Sequence, residues 1–451
     1  MILKNKPIAV IGLGKSGVSA AEFLHRRGAR VRVTEAARDP GLTRKAEKLR
    51  RLGVRDELGG HTSGFTSGCA FLVKSPGVPE ECLPIREARA SRIPVVSEID
   101  LSARFCKGQI IAVTGSNGKT TTCHLIHRML RDAGRQALLC GNVGTPFVGV
   151  LPRVEKKTFV VLEVSSFQLE DSPSLRPSIA ILLNVSRNHL DRHGSFKDYL
   201  NAKKNIFKRQ TRHQTLLLNF DRPETRTLAS EAKSRVFFFG KQAISGKGLF
   251  VRDGHVVASD GRRKRLLFEL QDFPLKGTHN LENILAASLA AHLVGVPAAS
   301  IVKTLRRFKT LPHRIEPAGM HAGVFFVDDS KSTTVDSTRA ALEAVKAPIV
   351  LLAGGRDKGA DFSAIEPLLN KKVRRAIFYG EARKKIASSL TAYNRYLLEA
   401  DFRRAASLAF RSARSGDCVL LSPMCTSFDQ FNSYSERGDA FKQVVQRLGA
   451  S

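Results

Sequence analysis

No run of apolar residues approaches the ~18 that a membrane span requires, and Met1-Ile-Leu-Lys leads into a strand-like segment rather than a cleavable leader. These absences argue against a membrane protein, and a cytoplasmic one is expected. The seven cysteines are odd in number and scattered, with no C-x-x-C pair, so neither a disulfide framework nor a zinc site is favoured. Acidic residues are scarce, with 41 against 73 lysines and arginines, giving a net charge of +32. Such a field attracts polyanions. The basic residues are nevertheless dispersed, in pairs such as Arg26-Arg27, Arg50-Arg51, Lys371-Lys372 and Arg374-Arg375, with no basic arm and no interleaved aromatics. Solvated faces are therefore expected, with no specific nucleic-acid partner, and any DNA binding should be weak and collapse with moderate salt.

What is present is a repeated alternation of short apolar runs with polar or glycine loops, the pattern of parallel strands buried on both faces. A chain of 451 residues suggests roughly three domains of about 150 residues each. Ile110-Ile-Ala-Val113 runs into Gly115-Ser116-Asn117-Gly118-Lys119-Thr120-Thr121 and then a helical stretch. Strand, glycine loop and helix in that order make a phosphate cradle: backbone N–H groups face phosphate oxygens, Lys119 adds charge and the Thr120 hydroxyl can ligate Mg²⁺. The loop is the short G-x-x-G-K-T, with Val113 where the longer G-x-x-x-x-G-K-[ST] pattern has glycine. ATP is the expected ligand.

Nearer the N-terminus, Pro7-Ile-Ala-Val-Ile11 precedes Gly12-Leu-Gly14-Lys15-Ser16-Gly17, a G-x-G-x-x-G turn, and the strand Arg30–Thr34 ends at Glu35. This reads as a Rossmann-like nucleotide site, with plain packing glycines as the alternative. Phe71-Leu-Val-Lys74 likewise opens into Ser75-Pro76-Gly77. In the middle of the chain Thr158-Phe-Val-Val-Leu162 closes on Glu163, which could hold Mg²⁺ or simply end a strand. Lys203 sits in the apolar stripe of Phe196–Phe207 while Lys197, Lys204 and Lys208 point elsewhere. Desolvation there would favour the neutral amine, which can add CO₂ and become an anionic carbamate; snorkelling past the apolar surface is the alternative. With His189 from the neighbouring loop, Glu163 and a modified Lys203 make a second metal plausible.

Taken together, Thr114–Thr120, Glu163-Val-Ser-Ser-Phe-Gln168, Asn184 with His189-Leu-Asp-Arg192, Ala202-Lys203 and His279-Asn280-Leu-Glu-Asn283 resemble the Mur ligases of peptidoglycan synthesis. Ser75-Pro-Gly77, Leu311-Pro-His-Arg314, Asp329-Ser-Lys331-Ser-Thr333, Gly354-Gly355 with Lys358, and Leu421–Gln430 ending in Glu436-Arg-Gly438 look like the members that add D-glutamate to UDP-N-acetylmuramoyl-L-alanine. The resemblance spans essentially the whole chain. It implies three α/β domains, each a mainly parallel sheet flanked by helices: residues 1–103 for the UDP-substrate, 104–311 for ATP and 312–451 for the amino acid. It implies that ATP phosphorylates the L-alanyl carboxylate and that the amine of D-glutamate attacks the acyl phosphate. Lys119, Glu163, His189, Lys203 and Lys331 would be catalytic. Two Mg²⁺ ions would be held by Thr120, Glu163, His189 and carbamylated Lys203, with Asn280, Arg314 and Asp329 on the nucleotide. Gly14, Lys15, Ser16, Glu35, Ser75, Gly77 and Asn142 would take the UDP-substrate. Thr333, Lys358, Ser427, Phe428 and Tyr434 would take D-glutamate, with Arg356 an alternative cation and a plain N-cap the alternative for Asn280. A monomer is expected. Two departures stand out: Glu35-Ala36-Ala37 replaces Asp-Thr-Arg, and Tyr434 replaces phenylalanine. Another Mur-type or folylpolyglutamate-type ligase is the near alternative, and a nucleic-acid-stimulated ATPase the distant one.

Overall fold

Each apolar run becomes a buried strand and feeds a helix through a polar or glycine turn. The computed structural model describes residues 2–186, 193–270, 273–275, 277–309 and 311–448. Its first sheet contains β1 (Pro7–Ile11), β2 (Arg30–Glu35), β3 (Arg55–Leu58), β4 (Phe71–Lys74) and β5 (Val95–Ser97), paired in parallel in the order β3-β2-β1-β4-β5. The order reverses between β1 and β4, which opens a crevice at their C-terminal ends. Helix α1 (Lys15–Arg26) leaves that crevice and buries Ala20, Ala21, Phe23 and Leu24. It is followed by α2 (Pro40–Arg50), α3 (Leu83–Ala90) and α4 (Glu98–Phe105).

The second sheet has nine strands: β6 (Gln109–Thr114), β7 (Ala137–Gly141), β8 (Phe159–Glu163), β9 (Ile179–Leu182), β10 (Thr215–Asn219), β11 (Arg235–Gly240), β12 (Lys247–Arg252), β13 (His255–Asp260) and β14 (Lys264–Glu269). They lie in the order β14-β13-β12-β11-β10-β9-β6-β8-β7, so β6 is an interior strand, between β8 and β9. Pairing is parallel from β7 to β12 and antiparallel from β12 through β14. Strand β14 is an edge that exposes Lys264, Arg265 and Leu266. Helices α5 (Lys119–Asp132), α6 (Phe147–Val150) and α7 (Ser166–Glu170) belong to the same region.

The first two sheets fall in one compact unit, residues 1–185, 200–271 and 282–304. Within it the N-terminal sheet is stitched to the loop after α7. Ser97 N donates to Asp171 O at 2.7 Å, and Ser174 N donates to Asp100 Oδ1 at 2.5 Å. Nearby, the Val148 amide donates to Glu98 Oε1 at 2.5 Å. Burial pushes the Glu98 carboxyl up to about 7.

The other unit, residues 186–199, 272–281 and 305–451, contains the third sheet; the division passes through the helices Phe196–Lys208 and Thr278–Leu293. Strands β15 (Glu316–His321), β16 (Val324–Asp328), β17 (Ile349–Gly354), β18 (Val373–Tyr379), β19 (Tyr396–Glu399) and β20 (Cys418–Met424) run in the order β15-β16-β20-β17-β18-β19, parallel except for the β15–β16 pair. Apolar clusters cover both faces.

Arg437 is the largest fully buried side chain. Its Nε donates to Ser330 Oγ at 2.9 Å, Nη2 to Ser330 O at 2.8 Å, and Nη1 to Cys425 O at 3.2 Å and Tyr379 Oη at 3.3 Å. One planar fork thus holds the loops after β16 and β20 together, a geometry lysine cannot reproduce. We expect Arg437→Met, which leaves those carbonyls unpartnered, to destabilise this unit by about 2–4 kcal/mol, and Arg437→Lys to recover little of it, read as urea-unfolding midpoints.

Candidate active site

The phosphate loop emerges from β6, and Gly118 caps α5 in a left-handed conformation (φ 84°). A side chain there would also run into Asn283 Oδ1, which accepts from Thr122 Oγ1 at 3.2 Å. Asn184, at the end of the adjacent strand, clamps the loop: Ser116 N donates to its carbonyl at 3.0 Å, and Asn117 N to its Oδ1 at 2.9 Å. Thr120 and Thr121 are buried in the first helical turn. Lys119 Nζ donates to Gly115 O at 2.7 Å and to Ser116 O at 2.9 Å.

Glu163 ends β8 directly beside the loop strand, in register with Val113, and is buried. Its Oε1 accepts from Asn142 Nδ2 at 3.0 Å, so the residue expected on the sugar side touches the residue expected on the metal. The Cys123 thiol in the same helix is pushed well up by burial. Lys203 is 1 % exposed, and its Nζ donates to Gly115 O at 3.0 Å. It does not snorkel. Burial first, and the Lys119 charge second, drive its amine well below the usual lysine range. His189 lies outside the described residues, as do Asp191 and Arg192.

In the N-terminal sheet Gly14 precedes α1, Lys15 and Ser16 open it, and Ser75 Oγ donates to Gly12 O at 3.2 Å across the crevice. Gly77 is exposed at the rim. The Glu35 carboxylate accepts from Leu13 N at 2.8 Å and Ala37 N at 3.2 Å, bracing the glycine turn from β2.

The third sheet gathers the remaining candidates at the C-terminal ends of β16, β20 and β17. Asp329 is buried, accepting from Ser422 Oγ at 2.8 Å and Ile315 N at 3.2 Å. Burial lifts its carboxyl to about 7 against the pull of its hydrogen bonds and of Arg314. His313 and Ile315, on either side of Arg314, and Met424 hold positive φ values of 61°, 47° and 61°, which are strained for such residues and concentrate at functional loops. Lys331 Nζ meets Tyr434 Oη at 2.8 Å and lies 4.1 Å from its ring centre. The backbones of Arg356 and Thr426 pair, at 3.0 Å in both directions, which brings the Lys358 loop beside Ser427. Arg356 itself is held bidentately by Glu381 at 2.8 and 2.9 Å. Thr333 is half-buried, Ser427 buried and Phe428 60 % exposed. Asn280 lies inside the first turn of the helix Thr278–Leu293, not ahead of it, so the N-cap alternative fails. Among the described residues one carboxylate and histidine group has metal-like spacing, His313, Glu316 and Asp328. The Lys442 ammonium, 2.7 Å from Glu316 and 3.7 Å from Asp328, already supplies its positive charge.

The roles of Arg437, Asn283, Lys74 and Asp171 were not singled out in the sequence. A lysine closing the otherwise apolar Phe71-Leu-Val run was the available signal for one of them.

Fold and site together define an α/β protein with a phosphate loop on one sheet and a G-x-G-x-x-G turn at the crevice of a doubly wound sheet in the same unit. Profiles of the MurD-like N-terminal domain, the Mur ligase middle domain and the Mur ligase glutamate ligase domain match residues 6–97, 113–291 and 313–425. The chain belongs to the Mur ligase family. It is 40 % identical to the UDP-N-acetylmuramoylalanine–D-glutamate ligase of Acidobacterium capsulatum, over 99 % of this chain and 97 % of that one. The enzyme of the same name from Koribacter versatilis is 38 % identical, with 99 % of each chain covered. Among solved structures, the fold is similar to UDP-N-acetylmuramate-alanine ligase MurC of Thermotoga maritima (TM-score 0.62, 18 % identity, 98 % and 99 % of the two chains). A pseudomurein peptide ligase type C of Methanothermus fervidus is also similar (TM-score 0.61, 19 %, 98 % and 100 %).

Because Asp329 keeps its proton in the folded chain up to about 7 while an unfolded aspartate loses it near 4, its ionisation costs stability increasingly across that window. We expect Asp329→Asn to stabilise the ligand-free protein more at pH 8 than at pH 5, by on the order of 2–3 kcal/mol, in thermal or urea unfolding at the two pH values.

Proposed function

We propose that the protein is an ATP-dependent ligase joining D-glutamate to the L-alanyl carboxylate of UDP-N-acetylmuramoyl-L-alanine, in the cytoplasm and as a monomer. The observation that carries this reading is the buried Lys203 amine, its ammonium form disfavoured by burial, 3.0 Å from the Gly115 carbonyl of the phosphate loop, in a chain similar end to end to D-glutamate ligases. A plain nucleotide-binding module has no use for such a lysine.

In this reading residues 1–103, 104–311 and 312–451 carry the UDP-substrate, ATP and the amino acid. Gly14, Lys15, Ser16, Ser75 and Gly77 hold the UDP end in the β1/β4 crevice, and Asn142 reaches the sugar side. The loop amides from Gly115 to Thr121 and the Lys119 ammonium bind the triphosphate, while Asn280, Arg314 and Asp329 hold the adenosine and phosphates. A carboxylate oxygen attacks the γ-phosphorus, ADP leaves, and the deprotonated amine of D-glutamate displaces phosphate from the acyl carbon. Bound Mg²⁺ would neutralise charge where these anions meet. The donor set suits it: Thr120 and buried Glu163 for one ion, His189 and Lys203 as its carbamate for a second. Lys203 supplies the nitrogen for CO₂, burial disfavouring its ammonium form. Lys358, Thr333, Ser427, Phe428 and Tyr434 position the dicarboxylic amino acid, and Lys331 brings a cation to the reacting end.

Incubation with the UDP-substrate, ATP, Mg²⁺ and a panel of amino acids should give amide product, ADP and phosphate with D-glutamate. Preferential use of L-lysine or diaminopimelate, or ATP turnover driven by nucleic acid instead, refutes the assignment. Separately, Lys203→Ala should lower kcat by roughly 100-fold or more, with partial rescue by acetate as a replacement carboxylate. An intact mass showing unmodified Lys203 in fully active enzyme would end the carbamate proposal.

A further inference from the structure

The UDP cradle and the Glu163 strand end lie on different sheets of one unit, and a continuous line of packed groups joins them. A Cβ on Gly12 would come within 2.9 Å of Ser75 Cβ, and one on Gly17 would run into the Gly12 carbonyl, so the Ser75–Gly77 loop and the glycine turn pack as one surface. Immediately before that loop is Lys74, 3 % exposed at the end of β4. Its ammonium lies 2.5 Å from Asp171 Oδ2 and also contacts Glu80. Arg89 closes the ring, 2.6 Å from Glu80 Oε2 and 3.5 Å from Asp171 Oδ1. Asp171 is the C-cap of α7, whose capping box of Ser165 and Gln168 begins just after Glu163.

A buried ion pair contributes little net stability over a well-packed apolar pair, and its best-attested use is to fix register. We propose that Lys74 is a positioning residue for the ligation: its bond to Asp171 sets the UDP cradle at a fixed distance from the Glu163 strand end. This rests on the function proposed above. A substrate anchored by its nucleotide must present its far carboxylate at the phosphate loop, and a displacement of about 1 Å can cost a factor of 10² in rate.

The test compares Lys74→Met with the double variant K74M/D171L, which removes both charges so that neither is left buried alone. With the UDP-linked substrate, both variants should lose about 10- to 100-fold in kcat, with the KM for ATP within about twofold of wild type. With muramoyl-L-alanine lacking the UDP group, which does not use the crevice, kcat/KM should equal that of wild type. The double variant should melt with the wild-type midpoint. Equal losses on both substrates would mean a structural role and overturn the proposal, as would an unchanged kcat on the UDP-linked substrate. Failure of the wild type to form amide from either substrate would instead overturn the proposed function.

Discussion

Two lysine amines share one backbone carbonyl: Lys119 and Lys203 both donate to Gly115 O. Burial first, and the neighbouring Lys119 charge second, disfavour the ammonium form of Lys203. Lys119 is half-buried, whereas Lys203 is 1 % exposed. The arrangement demands a helix that turns Lys203 to the Gly115 carbonyl, an Asn184 clamp on the neighbouring Ser116 and Asn117, and an interior position for β6.

A second constraint operates in the last domain, where Arg437 satisfies carbonyls of two loops that would otherwise splay. The backbone there is strained at His313, Ile315 and Met424. Strain persists only where the surroundings over-determine the conformation, and the buried guanidinium is one such determinant.

The parallel strands were legible in the sequence because burial on both faces leaves unbroken apolar runs, as in Ile110–Val113 and Ile349–Leu352. The helical stripe marked Lys203 but allowed both an inward amine and one snorkelling past the apolar surface, since stripe position alone does not fix where a long side chain ends. The antiparallel extension β12–β14 was not legible, since Lys247–Arg252 and Lys264–Glu269 mix charge with apolar residues and are only partly buried. The Lys74–Asp171 contact and the Arg437 network escaped for a different reason: they join positions far apart in sequence, and nothing local announces the partner. His189 carried a signal in the sequence, but it lies outside the described residues, so the expected ligand set remains a proposal.

The edge strand β14 has a colloidal consequence. Open edges are templates for pairing with a second copy, and natural sheets blunt them with lysine, bulges and irregular register. Here Lys264 and Arg265 supply the charge, and a register shift between Val256 and Val257 distorts the ladder behind them. With a net charge of +32 on every copy, like molecules repel at low ionic strength. At physiological salt the field reaches only about 8 Å, and the distorted ladder, which salt does not screen, becomes the lasting guard of that edge.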